Sequence, residues 1–412
     1  MGTTIKYIDI KGIQIPVIFE EQKALPILNL QLVFQNSGYI QDKNKSGLVS
    51  LSSKLLNEGT KELGATKFAE KLEENAISLT ASNGFETFVI ELSNLKEQSQ
   101  KGIELLTALL KSPNYSQNTL DKLKTIQTGS LKRKENDFDY VSSNQLKSML
   151  FKNTALETPA SGTIESISKI ELKDIKNFIN QTICLENLII VAGGDYELAE
   201  FEKLIKPFLE TLNVGKKVNF EKIDLISKKE EKVLIKDTQQ AYIYFGSSFN
   251  IDSKDEENYK AKVASFILGG SGFGSRLMEE IRVKRGLAYS AYGSISINKS
   301  HSYFNGYLQT KNESADEAKK LVAELIEDFV KNGVTNEELS AAKNFLTGSE
   351  PLRSETLSQR LSRAFTLYYR GLAPDYSQKE LEKIQNLELK DLNEYIKSHN
   401  EINNLTFSIV RK

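Results

Sequence analysis

The chain repeats itself, and the repeat restricts it to folds built from two like halves. Ile167-Ser168-Lys169-Ile170-Glu171-Leu172-Lys173-Asp174-Ile175 returns as Ile384-Gln385-Asn386-Leu387-Glu388-Leu389-Lys390-Asp391-Leu392, 217 positions later counted from Glu171 to Glu388. The same shift carries Asn187-Leu188 onto Asn404-Leu405. Upstream, Leu120, Lys124 and Thr128-Gly129-Ser130 recur as Leu339, Lys343 and Thr347-Gly348-Ser349, displaced by 219. Ordered matches at nearly one offset mark a duplicated domain whose copies differ by small indels. A chain of 412 residues is in any case too long for one ordinary core.

Each half has the same grammar. Leu28, Leu30, Leu32 and Phe34 alternate as one face of a strand, and Ala241-Tyr242-Ile243-Tyr244-Phe245 reads the same way. Helices follow: Ala318, Leu321, Val322, Leu325, Ile326 and Phe329 recur at helical spacing up to Gly333, and Thr335 to Glu338 forms a capping box for the next helix. Each half closes on an apolar strand, Leu188 to Val191 and Leu405 to Val410. Strands first, then several helices, then a returning strand predict two layered α+β domains rather than regular βαβ alternation. The expected division is residues 1–213, a connector over 214–235, and 236–412. Residues Asn213 to Lys232 are rich in Lys and Glu, including Lys228-Lys229-Glu230-Glu231-Lys232, and read as a solvated connector.

One stretch of the second half carries chemistry. In Ile281-Arg282-Val283-Lys284-Arg285-Gly286-Leu287-Ala288-Tyr289 a guanidinium and a phenol stand seven positions apart. Ser275 opens a short helix with Leu277, Met278 and Ile281 on its apolar side, and Gly286 supplies a left-handed stop. Arg282 then lies near the helix end. Tyr289 to Ile297 alternates as a half-buried strand that Tyr289 opens. Both side chains donate hydrogen bonds without changing protonation state, which suits them to a peptide carbonyl or a carboxylate.

Other chemistries fail on inspection. The net charge of −1, without a basic face, argues against nucleic acid as the main partner. The single cysteine, Cys184 between Ile183 and Leu185, allows no internal disulfide and reads as a buried inert thiol. Gly269-Gly270-Ser271-Gly272-Phe273-Gly274-Ser275 resembles a phosphate cradle, but no Lys-Ser/Thr pair follows it. The only histidines, His301 and His399, have no spacing that assembles a site, so both read as structural or surface residues. A serine nucleophile would lack its base. No apolar run reaches the roughly 18 residues of a membrane span. The start Met1-Gly2-Thr3-Thr4 has no apolar leader, so the chain reads as cytoplasmic as written, or periplasmic if a secretion signal was removed.

With the duplication and the Arg282/Tyr289 segment in hand, the chain resembles the pitrilysin-type zinc peptidases over nearly its whole length. The resemblance is to their two-subunit branch, which includes bacterial homologues and the mitochondrial processing peptidase. That family carries His-x-x-Glu-His on a helix running from a Gly-Leu to a Gly-Thr. Here the frame is Gly47-Leu48-Val49-Ser50-Leu51-Ser52-Ser53-Lys54-Leu55-Leu56-Asn57-Glu58-Gly59-Thr60. Ser50 and Lys54 fall on the two histidine positions and Ser53 on the general base. The family's further carboxylate ligand, about 76 residues after the second histidine, falls on Ser130. Hydroxyls are poor zinc ligands and an ammonium repels the ion, so no cofactor is expected on this chain.

The resemblance implies a clamshell of two homologous domains. It further implies a non-zinc subunit of a heterodimeric processing metallopeptidase, not catalytic alone, that binds peptide and presents Arg282 and Tyr289 to the zinc of a partner subunit. In the family this pair has the same spacing, and the glycine run before it lets backbone approach at the chamber mouth. The rival is a peptide-binding or scaffold subunit that adds nothing to catalysis, like the processing-peptidase-like core subunits of respiratory complexes. A self-sufficient zinc peptidase with displaced ligands would need bound metal.

Overall fold

The computed structural model describes residues 2–412. Its fold is α+β with two sheets, one in each of two compact units. The first sheet is built from β1 (Thr4–Ile10), β2 (Ile13–Glu21), β3 (Ile27–Gln35), β4 (Ser78–Asn83), β5 (Thr87–Leu95) and β6 (Leu188–Gly194), in the order β1-β2-β6-β3-β5-β4. The second contains β7 (Glu230–Ile235), β8 (Gln240–Ser248), β9 (Ala288–Ile297), β10 (Ser302–Lys311) and β11 (Thr406–Arg411), in the order β7-β11-β8-β10-β9. Apart from β1, the two orders are one order. In each sheet the last strand of the half pairs parallel with the strand that opens the shared order, β6 with β2 and β11 with β7, and every other pairing is antiparallel. The duplication seen in the sequence is therefore a duplication of topology.

The repeated residues carry the packing. Ile167, Ile170 and Ile175 are buried in the first unit, and their counterparts Ile384, Leu387 and Leu392 are buried in the second. Leu28, Leu30, Leu32 and Phe34 turn one face of β3 into the core as their alternation predicts. The helix Ala315–Asn332 ends on Gly333 at φ +73°, and Thr335 and Glu338 close a reciprocal capping box on the next helix.

The compact units do not follow the contiguous division expected from the sequence. One comprises residues 1–132, 158–220 and 353–366; the other comprises 133–157, 221–352 and 367–412. Each half thus contributes a helical segment to the unit formed mainly by the other half. Within the first unit, Leu357 and Leu361 lie against Gly193 of β6. That contact explains why all of β6 is buried, since its alternate residues face the core helices. Within the second unit, the Oγ of Ser142, on the helix Phe138–Leu150, donates to the Tyr242 and Ser408 carbonyls at 3.2 and 3.0 Å.

The charged stretch read as a solvated connector also needs correction. Its end, Glu230–Ile235, is strand β7, paired parallel to β11. It stays largely exposed because it is an edge strand, where charged side chains are compatible with sheet structure.

Candidate functional site

The helix Leu48–Leu56 opens on Gly47, whose φ of +92° only glycine adopts without strain. Its first amides are satisfied from a distance. The buried Asp42 carboxylate accepts from Gly47 N at 2.8 Å and Val49 N at 2.9 Å. Burial pushes the Asp42 carboxyl up to about 7 even though both amides favour the charged form.

On this helix lie the three positions where the resemblance expects a metal motif. Ser53 is buried and its hydroxyl contacts the Ser50 carbonyl at 3.0 Å and Asn83 Oδ1 at 2.9 Å. The Lys54 ammonium donates to Gln127 Oε1, and Gln127 Nε2 donates onward to the Ser161 carbonyl at 2.8 Å. Gln127, on the helix Gln117–Lys134, is only 3% exposed. The structure thus brings Gln127 to Lys54, at one helical turn from Ser130, the position reached by counting. Hydroxyls, a carboxamide and an ammonium do not fit a zinc ion, which needs neutral imidazole, thiolate or carboxylate donors. Among the described residues, no group of three or more His, Cys, Asp or Glu is placed to hold a metal.

Arg282 lies in a π-helical segment, Met278–Val283, whose Met278 and Ile281 are buried with Leu277 beside them. Wider turns of this kind recur at functional positions. Ser275 starts the segment by accepting from Met278 N, and Gly286 at φ +62° ends it. Neighbouring charges are spoken for: Glu280 holds Lys284 at 2.5 Å and Arg285 at 2.7 Å, which lowers the Glu280 carboxyl below its usual range. Arg282 instead lies over the exposed ring of Phe273, 4.8 Å from its centroid, with no carboxylate partner among the described residues.

Tyr289 departs from simple alternation. Gln309 pairs with Ser290 and Thr310 with Ala288, so Tyr289 is the extra residue of a β-bulge. Regular alternation would send it to the buried face with Ala291. The bulge turns it out, and it is 67% exposed. The glycine run also has a local cause: a Cβ on Gly269 would meet Gly293 N at 2.5 Å, so only glycine lets the two backbones touch there.

The remaining sequence candidates have structural surroundings. His301 packs edge-on against Phe151 at 5.2 Å, and burial lowers its imidazole to about 4. His399 stacks on Phe249 at 4.4 Å and bonds Glu401 at 2.9 Å. Cys184 is buried, which raises its thiol. No helix among the described residues is long and apolar enough to cross a membrane. Sequence reasoning missed Gln127, Asp42 and Phe273 as partners. Of these only Phe273, the one large side chain in a glycine run, carried a visible signal.

A family model described as the peptidase M16 inactive domain matches residues 169–346. The "Non-peptidase homolog YmxG" of Helicobacter pylori is 44% identical over 409 residues, covering 99% of this chain and 94% of that protein. A Bacillus subtilis relative described as an uncharacterized zinc protease, also YmxG, is 22% identical over 318 residues and 77% of each chain. Among solved structures, a peptidase M16 inactive domain from Pseudomonas fluorescens superposes with a TM-score of 0.90 at 22% identity, over 99% of this chain and 98% of that one. A protease from Helicobacter pylori does so at 0.84 and 17% identity, over the full length of both. The chain belongs to the peptidase M16 family, the pitrilysin-like peptidases.

Proposed function

We propose that this chain is the metal-free subunit of a heteromeric M16 metallopeptidase, and that Arg282 and Tyr289 serve peptide bound at the zinc site of a partner subunit. The contrast between two places in the chain carries the reading. Where a zinc motif would lie, the Lys54 ammonium is tied to Gln127. Where substrate donors would lie, a guanidinium without a carboxylate and an outward-turned phenol remain at the surface.

In this reading a zinc ion held by the partner subunit would supply Lewis-acid activation of the attacking water and the scissile carbonyl. Arg282 and Tyr289 donate hydrogen bonds to the peptide, fix its direction and stabilise charge growing on the carbonyl oxygen. Phe273 holds the guanidinium plane without neutralising it, so the positive charge stays available to substrate. The name of the Helicobacter relative, a non-peptidase homologue, agrees with a chain that hydrolyses nothing by itself.

The test is reconstitution with the His-x-x-Glu-His-bearing M16 chain of the same genome. Peptide turnover is expected only when both chains are present. A partner that turns over peptide equally well without this chain would reduce it to a scaffold.

A further inference from the structure

We propose that β7 is a self-association edge, on which a second copy of this chain lays its own β7 antiparallel. The internal duplication points there. In the first sheet the outer edge of β2 is covered by β1, antiparallel over its full length. The equivalent strand β7 has β11 on one side and, among the described residues, no strand on the other.

Strand geometry limits the registers, and charge favours one of the three centred on the middle of the strand. Lys236 N donates to the Arg411 carbonyl, and Arg411 sits opposite Ile235. Residues 232, 234 and 236 therefore turn their amides toward β11, while Glu231, Val233 and Ile235 turn theirs outward. Two copies of β7 can meet only with outward residues opposite outward residues, so the two-fold axis passes through a residue position. An axis at Lys232 opposes Lys232 to its own copy, and an axis at Leu234 opposes Lys232 to Lys236 and Glu231 to Asp237. Both juxtapose like charges. An axis at Val233 pairs Glu230 with Lys236 and Lys229 with Asp237, twice each, around a Val233–Val233 contact.

Burial agrees with that register. Val233 and Ile235, two of the three apolar residues of the strand, are 37% and 66% exposed, while Leu234 between them is half-buried. In the Val233 register Ile235 of one copy lies opposite Glu231 of the other. Glu231 borders a groove of about 450 Å³ whose floor includes the buried Leu405 and Phe407. Charged edge strands usually prevent pairing. Here the charges exclude the neighbouring registers and complement themselves in one.

Sedimentation of the full-length chain tests this. A concentration-dependent dimer is expected. Val233→Glu, which opposes two carboxylates on the axis, should raise its dissociation constant about tenfold, and so should Glu230→Lys. The charge swap Glu230→Lys with Lys236→Glu should return it to within about threefold of the original. Circular dichroism confirms that each variant is folded. A chain that stays monomeric, or a dimer indifferent to Val233→Glu and to the charge swap's single components, overturns the proposal.

Discussion

Arg360 closes a forked ion pair on Glu20, 340 positions away, with Nε and Nη2 both on Oε1 at 2.8 and 2.6 Å. Glu20 is 3% exposed, and its second oxygen accepts from Thr3 at 2.6 Å. Arg360 lies on the segment that the second half contributes to the first unit, so the pair ties that segment to β2.

Removing the guanidinium leaves a buried carboxylate with one hydroxyl donor. Arg360→Ala is therefore expected to destabilise the chain by about 3 kcal/mol, against about 1 kcal/mol for Thr3→Ala. Urea unfolding followed by circular dichroism measures both. Equal small losses would mean the pair is exposed in solution.

The Lys54–Gln127 contact predicts how a metal site is regained. Ser50→His, Ser53→Glu and Lys54→His restore the His-x-x-Glu-His pattern, and Gln127→Glu supplies a carboxylate at the place where Lys54 now points. This quadruple variant should retain about one zinc per chain. With Ser130→Glu in place of Gln127→Glu, affinity should be at least about tenfold lower. Metal analysis after dialysis reads the difference.

Asp42 predicts a pH dependence. Its folded carboxyl titrates near 7, above an ordinary carboxylate, so the folded state holds the proton more tightly than the unfolded state does. The stabilisation is fully present below the ordinary carboxylate pKa and is lost as pH rises toward 7. The Tm of the wild-type chain should therefore fall from pH 4 to pH 7 relative to Asp42→Asn, which carries no such proton. A wild-type Tm that rises relative to Asp42→Asn over this range would show that the two amides outweigh burial.

Much of this was legible in the residues, and the reasons are local. The aligned apolar positions of the repeat had to be buried twice, and Thr335 with Glu338 announces a helix start by hydrogen-bond chemistry alone. The Gly47 to Thr60 frame placed Ser53 and Lys54 on one helix because its glycines bound it. The rest depends on tertiary partners. Nothing in the amphipathic pattern around Leu357 says which sheet it will cover. The bulge that turns Tyr289 outward arises from pairing with β10, and counting residues from Lys54 reached Ser130 where packing brought Gln127. The run Glu230 to Lys232 looked like connector because an edge strand, wet on one side, tolerates the same charges.

The most direct test of the account is the rate of peptide hydrolysis by the reconstituted two-chain enzyme carrying Arg282→Ala in this chain. The expected result is a fall on the order of 10²-fold, with unchanged assembly and an unchanged Tm for the isolated chain. An unaltered rate would make Arg282 a surface residue. Stoichiometric zinc together with hydrolysis by this chain alone would contradict the account altogether.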